Sequence, residues 1–352
     1  MKRVALLGAT GSIGRQALEI VGGDSQLELV AAASGSQSIE GLAPLTQVGG
    51  DLVPLLERAR PDVVLNAVVG FAGLPATLWA LENGVDLALA NKESLVAAGD
   101  LALAARERGR GRILPVDSEH SALFQCLEGR DPEQIDTLVL TGSGGPFRGR
   151  TRAGLEDVTP EQALAHPTWR MGPKITVDSA TLANKGLEVI EAHFLFGVEY
   201  ERIEVAIQPT SIVHSLVRFR DGASLAHLGY PDMRVPISYA LTYPERAATP
   251  LPPLDLTSLT LEFSPPDTDT FPMLALARAA GHEGGSAPCV YNAANEIAVA
   301  AFLADRLPFL GIPEVVGETL AVAETDPVRD LDDLVEADRA ARALAEGALA
   351  AA

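Results

Sequence analysis

The sequence predicts an α/β protein built from an N-terminal parallel sheet, a central α+β region and a C-terminal helical region. Three observations support this fold class. Short apolar runs alternate with helical patterns over residues 1–116, strand patterns dominate residues 117–243, and alanine-rich helical patterns fill residues 273–352. Alternating strands and helices are typical of a parallel sheet covered by helices.

The N-terminal region contains strands predicted at residues 4–7, 29–33, 63–68, 87–90 and 113–116, with helices at 12–21, 52–60, 75–83 and 94–108. The central region contains strands predicted at 137–140, 203–207, 212–219 and 224–228. One long helix is predicted there, from about residue 180 to residue 196. Asp178 and Ser179 are N-cap residue types before it, and Gly197 can end it.

Prolines are dense between residues 244 and 272, and this segment is predicted to be an extended linker, because a helix does not tolerate them at that density. Beyond the linker, helices are predicted at residues 273–280, 292–304, 313–323 and 332–349.

Composition limits the partners and the location of the chain. Its 352 residues carry a net charge of −20, from 27 basic and 47 acidic side chains. Such a surface repels nucleic acid and anionic lipid, so neither is an expected partner, and a phosphorylated substrate would need a local basic pocket. The two cysteines, Cys126 and Cys289, have no metal-site spacing and predict no disulfide framework. The apolar residues 4–8 are too few for a signal peptide or membrane helix, so a cytoplasmic location is expected.

A glycine-rich loop joins the first strand to the first helix. Its sequence is GATGSIG, at residues 8–14. Glycines allow a tight turn, and the helix N-terminus can hold a pyrophosphate through its free amide groups. The position of the loop favours a dinucleotide site over an ordinary glycine-rich connection.

The second strand is followed by Ser34, Gly35, Ser36 and Gln37. Sites that prefer NAD usually carry an acidic residue here, which binds the ribose hydroxyls. Its absence favours NADP, with the side chains of Ser34, Ser36 and Gln37 as candidate phosphate donors. A plain polar turn is the alternative interpretation.

Asp117 and Glu119 follow the fifth predicted strand. Because the two residues are two positions apart, an extended backbone places both side chains on the same side of the strand. They also lie at the end of a strand where ligands usually bind in α/β domains. Capping of the next helix by Asp117, with Glu119 in its first turn, explains this segment equally well.

A later helical pattern places Asn184, Lys185 and Glu188 on one face. Gly186 costs roughly 1 kcal/mol within a helix, which indicates a close approach at that position. The carboxylates of Asp117, Glu119 and Glu188 would suit Mg²⁺ or Mn²⁺, because both ions prefer oxygen ligands. Zinc is less suited, since no Cys or close His spacing supports it. The alternative is a solvated face with a Lys–Glu pair.

Three further segments have the chemistry to contact an anion. Residues 141–147, TGSGGPF, can form a phosphate nest, although a flexible turn is the simpler interpretation of this segment alone. Residues 166–174 form a short loop in which Trp169 either covers a ligand and excludes water or packs in a domain interface. Lys92 follows the fourth strand at the ligand-binding edge, unless Asn91 simply begins a helix there.

In their order along the chain, these motifs resemble the 1-deoxy-D-xylulose 5-phosphate reductoisomerase family of the non-mevalonate isoprenoid pathway. The matching segments are GATGSIG at 8–14, ANKESL at 90–95, PVDSEH at 115–120, TGSGGPF at 141–147, HPTW at 166–169, MGPKITVDSATLANKGLE at 171–188, QPTSIVH at 208–214, GYPDMR at 229–234 and NAANEIAVAAF at 292–302. The resemblance implies a Rossmann-type NADPH-binding domain at 1–116 and a catalytic domain at 117–243 with a mobile loop at 166–174. A linker at 244–272, a helical domain at 273–352 and a homodimer are also implied.

The resemblance assigns roles residue by residue. The implied metal ligands are Asp117, Glu119 and Glu188. The implied contacts with the sugar-phosphate substrate are Lys92, Ser118, Glu119, Ser143, His166, Ser179, Asn184, Lys185 and Glu188, of which Ser143, Ser179, Asn184 and Lys185 lie near the phosphate. The implied contacts with NADPH are Thr10, Gly11, Ser12, Ile13, Gly35, Gln37, Asn91, Glu93 and Gly172. Trp169 and Met171 belong to the mobile lid.

In the implied reaction, Mg²⁺ or Mn²⁺ chelates the carbonyl and hydroxyl oxygens of 1-deoxy-D-xylulose 5-phosphate. The carbon skeleton rearranges by retro-aldol cleavage and re-addition, and NADPH reduces the resulting aldehyde to 2-C-methyl-D-erythritol 4-phosphate. The chain departs from the family pattern twice. Ser36 and Gln37 stand where a basic residue and an asparagine are usual, which bears on the preference for NADPH. The segment at 38–61 is short, so an element of many relatives is expected to be trimmed there.

Other classes of protein fit the residues of this sequence less well. A short-chain dehydrogenase needs a lysine four residues after a tyrosine, and none of the five tyrosines has one. A semialdehyde dehydrogenase needs a nucleophilic cysteine, whereas Cys126 and Cys289 lie in helical patterns typical of packing residues. A dinucleotide-sensing regulator would need neither the carboxylates nor the lid.

Overall fold

The structure, a computed structural model, describes residues 1–351, so residue 352 of the predicted C-terminal region lies outside the described residues. Its strands are β1 Lys2–Leu7, β2 Leu27–Ser34, β3 Leu45–Val48, β4 Val63–Asn66, β5 Asp86–Leu89, β6 Ile113–Pro115, β7 Ile135–Gly142, β8 Ile203–Ile207, β9 Val213–Phe219 and β10 Ser224–Leu228. Its α-helices are α1 Ser12–Gly23, α2 Val53–Ala59, α3 Leu74–Glu82, α4 Lys92–Gly109, α5 Ser118–Leu127, α6 Pro160–Ala163, α7 Pro173–Thr181, α8 Ala183–Phe196, α9 Arg234–Thr242, α10 Met273–Glu283, α11 Ala287–Leu303, α12 Gly311–Val322 and α13 Leu331–Ala351.

The chain forms two compact units. The first comprises Met1–Leu95, Gly99–Gly129 and Asp232–Leu259, and the second comprises Val96–Ala98, Arg130–Pro231 and Thr260–Ala352. The limits predicted from the motifs, at residues 116, 243 and 272, follow a different division and stay predictions. The chain passes from the first unit to the second within the proline-dense segment.

The first unit is built on a six-stranded parallel sheet in the order β3-β2-β1-β4-β5-β6. The predicted parallel sheet is therefore confirmed. Its apolar strands are buried, as expected when helices cover both faces; Leu6, Leu65 and Leu87 are all fully buried. The strand order reverses direction at β1, and ligands of such sheets bind outside the carboxyl ends of the strands at this point.

Strand β3 was not predicted from the sequence. It pairs only with β2 at the edge of the sheet, and its residues are half-buried or exposed. A partly polar edge strand lacks the continuous apolar run that marks a buried one. The connection from β2 to β3, residues 35–44, contains no α-helix, which accords with the short segment at 38–61.

Helices α5 and α9 both belong to the first unit. The rings of Phe124 on α5 and Tyr239 on α9 meet edge to face, with centroids 6.3 Å apart. Ile237 and Leu241 of α9 lie in the same buried cluster as Leu6 of β1. Helix α9 was missed because Pro236 in its first turn interrupts the sequence pattern, although a proline is tolerated near a helix N-terminus.

The second unit contains a four-stranded mixed sheet in the order β10-β9-β7-β8. Strand β7 runs parallel to β8 and antiparallel to β9. The unit also contains helices α6, α7, α8, α10, α11, α12 and α13, and its large buried side chains include Phe147, Tyr291 and Phe302.

The helix predicted from residue 180 to residue 196 is in fact two helices. Leu182 has a left-handed φ of +64° and separates α7 from α8. The hydroxyl of Thr181 accepts a hydrogen bond from the amide of Ala183 at 3.2 Å, while Leu182, the N-cap of α8, makes no side-chain cap. Asp178 and Ser179 therefore lie within α7 and are not N-cap residues.

Helix α7 begins at Pro173, the first-turn position that proline favours. The predicted loop at 166–174 is consequently shorter than expected, since its last two residues are helical. Between residues 244 and 272 there is no α-helix and no strand, only a 3₁₀ turn at Leu256–Ser258 and an isolated bridge from Ser264 to Ile207. Among residues 1–351, no helix combines the length and the apolarity needed to cross a membrane.

Candidate active site

The glycine loop after β1 can form only with glycine at two positions. Gly8 has a φ of +86°, and a Cβ atom there would lie 2.5 Å from the carbonyl oxygen of Ala67. A Cβ atom at Gly14 would lie 2.2 Å from the carbonyl oxygen of Gly8. Gly11 is the N-cap of α1 and makes no side-chain cap. The first-turn amides of α1 are therefore positioned for an anionic ligand, with Thr10, Gly11, Ser12 and Ile13 around them.

The residues after β2 differ in what they offer a ligand. The hydroxyl of Ser34 donates a hydrogen bond to the backbone carbonyl of Gln37 and is buried. Gly35, Ser36 and Gln37 are exposed. The side chains of Ser36 and Gln37 are thus better placed than Ser34 to meet a cofactor at this edge of the sheet.

Asn91 holds together the loops at the carboxyl end of the first sheet. Its side chain accepts a hydrogen bond from the amide of Ser94 at 3.1 Å and donates to the carbonyl of Gly70 at 2.8 Å. The alternative prediction, that Asn91 caps a helix, is confirmed. Glu93 follows in the first turn of α4 and is buried. Because this network fixes both side chains, a cofactor that contacts them would meet a preformed surface.

Lys92 and Asp117 form a nearly buried ion pair, with Nζ 2.8 Å from Oδ2. The other carboxylate oxygen of Asp117 lies 3.0 Å from Nδ1 of His120 and accepts a hydrogen bond from the amide of Glu119 at 3.2 Å. Burial would raise the pKa of Asp117, but the charge of Lys92 and the hydrogen bond from His120 outweigh it and hold this pKa well below its usual range. Asp117 therefore caps α5, as the alternative held, and also stays ionised next to a lysine.

Glu119, which follows in the first turn of α5, accepts a hydrogen bond from the hydroxyl of Ser118. His120 was not singled out from the sequence, although it stands three residues after Asp117 on the same helix. That spacing was the available signal, since it places the two side chains on one face.

In the second unit, His166 lies between two serine hydroxyls. Its Nε2 is 3.0 Å from Oγ of Ser143 and 3.1 Å from Oγ of Ser179. Its Nδ1 accepts hydrogen bonds from the amides of Thr168 and Trp169, at 3.2 and 3.0 Å. Because Nδ1 accepts from both amides, the ring proton of the neutral imidazole resides on Nε2. Burial lowers the pKa of His166, which favours this neutral form.

Helix α8 carries a second group of polar residues. Lys185 and Glu188 are 5 % and 1 % exposed, and their side chains form an ion pair. Lys185 also donates to the backbone carbonyl of Thr141, and Asn184 donates to Glu188. The Lys–Glu pair considered from the sequence exists, but it is buried and not solvated. A buried pair costs desolvation that a surface pair avoids, which favours a functional role for it.

The segment at 141–147 contributes to both groups in this unit. A Cβ atom at Gly142 would lie 2.9 Å from Cε of Lys185, and one at Gly145 would lie 2.7 Å from the carbonyl oxygen of Ser179. Gly145 also has a φ of +69°. The segment is thus a specific turn that lets Ser143 approach α7 and Lys185 approach β7.

The candidate lid residues Trp169 and Met171 are half-buried, and Gly172 is exposed at the N-cap of α7. The Trp169 ring lies 6.3 Å from the ring of His214 and is tilted by 54°. His214 was not singled out from the sequence beyond its place in the segment QPTSIVH. Trp169 therefore remains accessible enough to meet a ligand.

Neither cysteine is placed as a nucleophile. Cys289 is fully buried in α11, and burial raises the pKa of its thiol to about 12. Cys126 is half-buried on α5. The packing role predicted for Cys289 is confirmed, and Cys289 is excluded as the nucleophile of a thiol-dependent dehydrogenase.

The fold and these side chains define a class of protein. A glycine loop at the switch point of a six-stranded parallel sheet is the binding arrangement for a dinucleotide. Neutral histidine, serine hydroxyls and a buried lysine in the second unit are donors for an anion. The fold and site are therefore those of a protein that binds a dinucleotide together with an anionic ligand.

Comparisons with known proteins identify the particular family. The model of 1-deoxy-D-xylulose 5-phosphate reductoisomerase matches residues 4–49 and 49–99, the model of its C-terminal domain matches 113–196, and a model described as DXP reductoisomerase C-terminal domain matches 228–344. The chain is 49% identical to the 1-deoxy-D-xylulose 5-phosphate reductoisomerase of Heliobacterium modesticaldum, in an alignment that covers 98% of this chain and 97% of the relative. The chain belongs to the 1-deoxy-D-xylulose 5-phosphate reductoisomerase family.

Solved structures of the same family superpose on the whole chain. The enzyme from Zymomonas mobilis in complex with NADPH matches with a TM-score of 0.90 and 38% identity, covering 99% of both chains. A DOX-P reductoisomerase in complex with NADPH, fosmidomycin and magnesium matches with a TM-score of 0.92 and 37% identity, covering 99% of this chain and 98% of that one.

Proposed function

We propose that this protein catalyses the NADPH-dependent rearrangement and reduction of 1-deoxy-D-xylulose 5-phosphate to 2-C-methyl-D-erythritol 4-phosphate, in the non-mevalonate isoprenoid pathway, with Mg²⁺ or Mn²⁺. The observation that carries the proposal is family membership along nearly the whole chain. The local geometry supports it, because each unit supplies side chains whose chemistry suits one part of that reaction.

The phosphate of the substrate is bound by Ser143, Ser179, Asn184 and Lys185. His166 supports this assignment, since its neutral ring lies within hydrogen-bonding distance of both serine hydroxyls. A neutral donor between two hydroxyls orients them without adding a charge that would have to be desolvated. Lys185 supplies the positive charge that a dianionic group needs in a protein of net charge −20.

The metal ion is held by the carboxylates of Asp117, Glu119 and Glu188. Oxygen ligands of this kind fit Mg²⁺ and Mn²⁺. Asp117 suits the role because its low pKa keeps it ionised, and a metal ligand must be deprotonated. Lys92 pairs with Asp117, and Lys185 pairs with Glu188. The three carboxylates and two lysines together therefore leave only a modest net negative charge to attract the cation. The remaining substrate contacts are Lys92, Ser118, Glu119, His166 and Glu188.

When bound, the divalent ion polarises the carbonyl and hydroxyl oxygens of the substrate, and NADPH supplies the hydride. The protein's own residues bind and orient. The amides at Thr10, Gly11, Ser12 and Ile13 hold the pyrophosphate, and Gly35, Gln37, Asn91, Glu93 and Gly172 contact the rest of the cofactor. Trp169 and Met171 close over the substrate and exclude water. Anchoring the phosphate uses binding energy remote from the reacting carbons to position them.

A spectrophotometric assay tests this function. The purified protein is mixed with NADPH, 1-deoxy-D-xylulose 5-phosphate and Mg²⁺ or Mn²⁺, and the absorbance of NADPH is followed. We expect oxidation that requires both the substrate and the metal and stops after chelation. If NADPH is not consumed under these conditions, or is consumed equally without metal, the proposed reaction is wrong.

Two variations of this assay test the site. Glu188→Gln removes one proposed ligand charge with little change in shape and is expected to raise the metal concentration needed for half-maximal activity by at least tenfold. Full activity in this variant at the wild-type metal requirement would contradict the ligand assignment. Repeating the assay with NADH tests the cofactor preference, which Ser36 and Gln37 place in question; we expect NADPH to be preferred.

A homodimer and a cytoplasmic location complete the proposal. Both are supported by family membership, and the location also accords with the lack of a membrane-spanning helix among residues 1–351. Sedimentation velocity of the purified protein tests the dimer, and fractionation of the source cells tests the location.

A further inference from the structure

Asp178 is a buried carboxylate that is not the helix cap predicted from the sequence and that the proposed mechanism does not use. It lies in the middle of α7 and is 1 % exposed. One of its oxygens lies 3.0 Å from Nζ of Lys174, one turn earlier on the same helix. The other accepts a hydrogen bond from Nδ2 of Asn295 on α11 at 2.8 Å. A buried carboxylate persists only when such partners compensate its desolvation.

The side chain of Asn295 is committed to this carboxylate. Asn295 is fully buried, and its Oδ1 has no hydrogen-bond partner among the described residues. Leaving a buried acceptor unpaired is costly, so the amide is oriented by the stronger, charge-assisted bond from its Nδ2. Burial raises the pKa of the phenol of Tyr291, one turn earlier than Asn295 on α11, and the charge of Asp178 raises it further. The carboxylate therefore ties α7 to α11 specifically.

The residue after Asp178 is Ser179, whose hydroxyl meets the ring of His166. Lys174, the other partner of Asp178, lies two residues after Gly172, which ends the loop that contains the lid residues. The rotation and height of α7 thus decide both where the Ser179 hydroxyl lies and where the lid ends.

We propose that Asp178, Lys174 and Asn295 act as a positioning clamp for substrate binding. The clamp fixes α7 against α11, so that Ser179 and His166 present their donors to the substrate phosphate and the lid closes from a fixed end. This inference rests on the proposed function, because it assigns the residues that position the proposed phosphate donors. The inference also means that helix α11, in the C-terminal region, contributes to the affinity for the substrate.

The chain offers a matched control for the test. Asn292 lies on the same helix as Asn295, is 1 % exposed, and also has a buried Oδ1 without a partner among the described residues. Its Nδ2 donates to Glu296 at 3.2 Å and does not bond to α7. Asn295→Ala and Asn292→Ala therefore remove the same group from the same helix, but only the first breaks the clamp.

The experiment measures kcat, the KM for each substrate, and the affinity for 1-deoxy-D-xylulose 5-phosphate by calorimetry without NADPH. For Asn295→Ala we expect the KM and Kd for the sugar phosphate to rise about tenfold, as for loss of a charge-assisted hydrogen bond, with the KM for NADPH changed less than twofold. For Asn292→Ala all three should change less than twofold. Equal effects of the two variants, or a loss of thermal stability in Asn295→Ala without a change in KM, would overturn the clamp.

Lys174→Met provides a second test that does not depend on tolerance of a change in the core, because the Lys174 side chain is 22 % exposed. It leaves Asp178 with Asn295 alone, and we expect the KM for the sugar phosphate to rise several-fold at nearly constant kcat. An unchanged KM would contradict the proposal. Activity of the wild-type enzyme is measured first, so its absence would count against the proposed function, whereas unchanged variants of an active enzyme would count against the clamp alone.

Discussion

Replacement of Gly186 tests how closely α8, the helix that carries Asn184, Lys185 and Glu188, must approach its neighbours. A Cβ atom at position 186 would lie 2.5 Å from Cβ of Ala277 on α10. It would also lie 3.2 Å from the hydroxyl of Tyr291. The close approach predicted from glycine within a helix is therefore real, and the neighbour is another helix.

The expected cost follows from these distances. Carbon atoms in contact are ordinarily about 3.5–4.0 Å apart, so α8 and α10 must separate locally by roughly 1 Å. Overpacking costs about 1–3 kcal/mol, and we take the upper end, because two methyl groups fixed to helix backbones have no rotamer with which to escape. Alanine regains about 1 kcal/mol of helix propensity. The net prediction for Gly186→Ala is a loss of about 2 kcal/mol.

Gly317→Ala on α12 is the matched control. The nearest atom to its added Cβ is Cδ2 of Leu276, at an ordinary contact distance of 3.9 Å. This variant should therefore gain about 1 kcal/mol from helix propensity. The same substitution is thus predicted to have opposite signs at the two positions.

Urea unfolding of the two variants measures this difference, and the KM for the sugar phosphate provides a second readout. In thermal unfolding of a compact unit of this size, a loss of about 2 kcal/mol in the free energy of unfolding corresponds to a melting temperature lower by roughly 4–8 °C. The KM should also rise in Gly186→Ala, because Lys185 and Glu188 move with α8. A midpoint for Gly186→Ala at or above that of Gly317→Ala would refute the reasoning.

Three further predictions concern single residues. Because burial lowers the pKa of His166 below its ordinary 6.5, its ring is neutral at pH 7 and gains a proton only as the pH falls through that lower value. An NMR titration with His166→Asn as the assignment control should give a value under 6.5, and a higher one contradicts the neutral form inferred for the site. Gly14→Ala places a methyl group 2.2 Å from the carbonyl oxygen of Gly8 and should abolish NADPH binding, as measured by fluorescence titration. In the control variant Gly22→Ala the methyl group meets no atom within 4 Å, so NADPH binding should be retained. Equal affinities of the two variants for NADPH would disprove the steric argument. Cys289, with its thiol pKa raised to about 12, should resist a thiol reagent in the native protein, and rapid labelling of Cys289 detected by mass spectrometry would show that α11 is open.

Much of the fold could be predicted from local patterns. Five of the six strands of the first sheet contain apolar runs that are largely buried, and the glycine loop follows the first of them. Strand β3 was not predicted because its residues are half-buried or exposed, so it lacks such a run. Residues 173 and 174 were predicted to belong to a loop, although the proline at 173 suits the first turn of a helix equally well, and only the contacts of α7 decide between the two.

The site divides in the same way. The sequence by itself determined which side chains are candidates for the chemistry, because residue type and order persist in the chain whatever its packing. These candidates are the carboxylates, the lysines and, through the resemblance, the histidine and serines at 166, 143 and 179. It left open whether Asp117 is a helix cap or a ligand, and whether Lys185 and Glu188 form a solvated pair.

Only the tertiary structure shows how these residues are surrounded, while the ligand role of Asp117 stays a proposal. It buries the pair on α8, gives Asp117 both a cap and a lysine partner, and brings His166 within hydrogen-bonding distance of serines 23 residues before it and 13 residues after it. It also connects Asp178 with Asn295, which are 117 residues apart. Burial and long-range contact arise from packing between elements, and local spacing in a sequence carries no record of which elements will pack together.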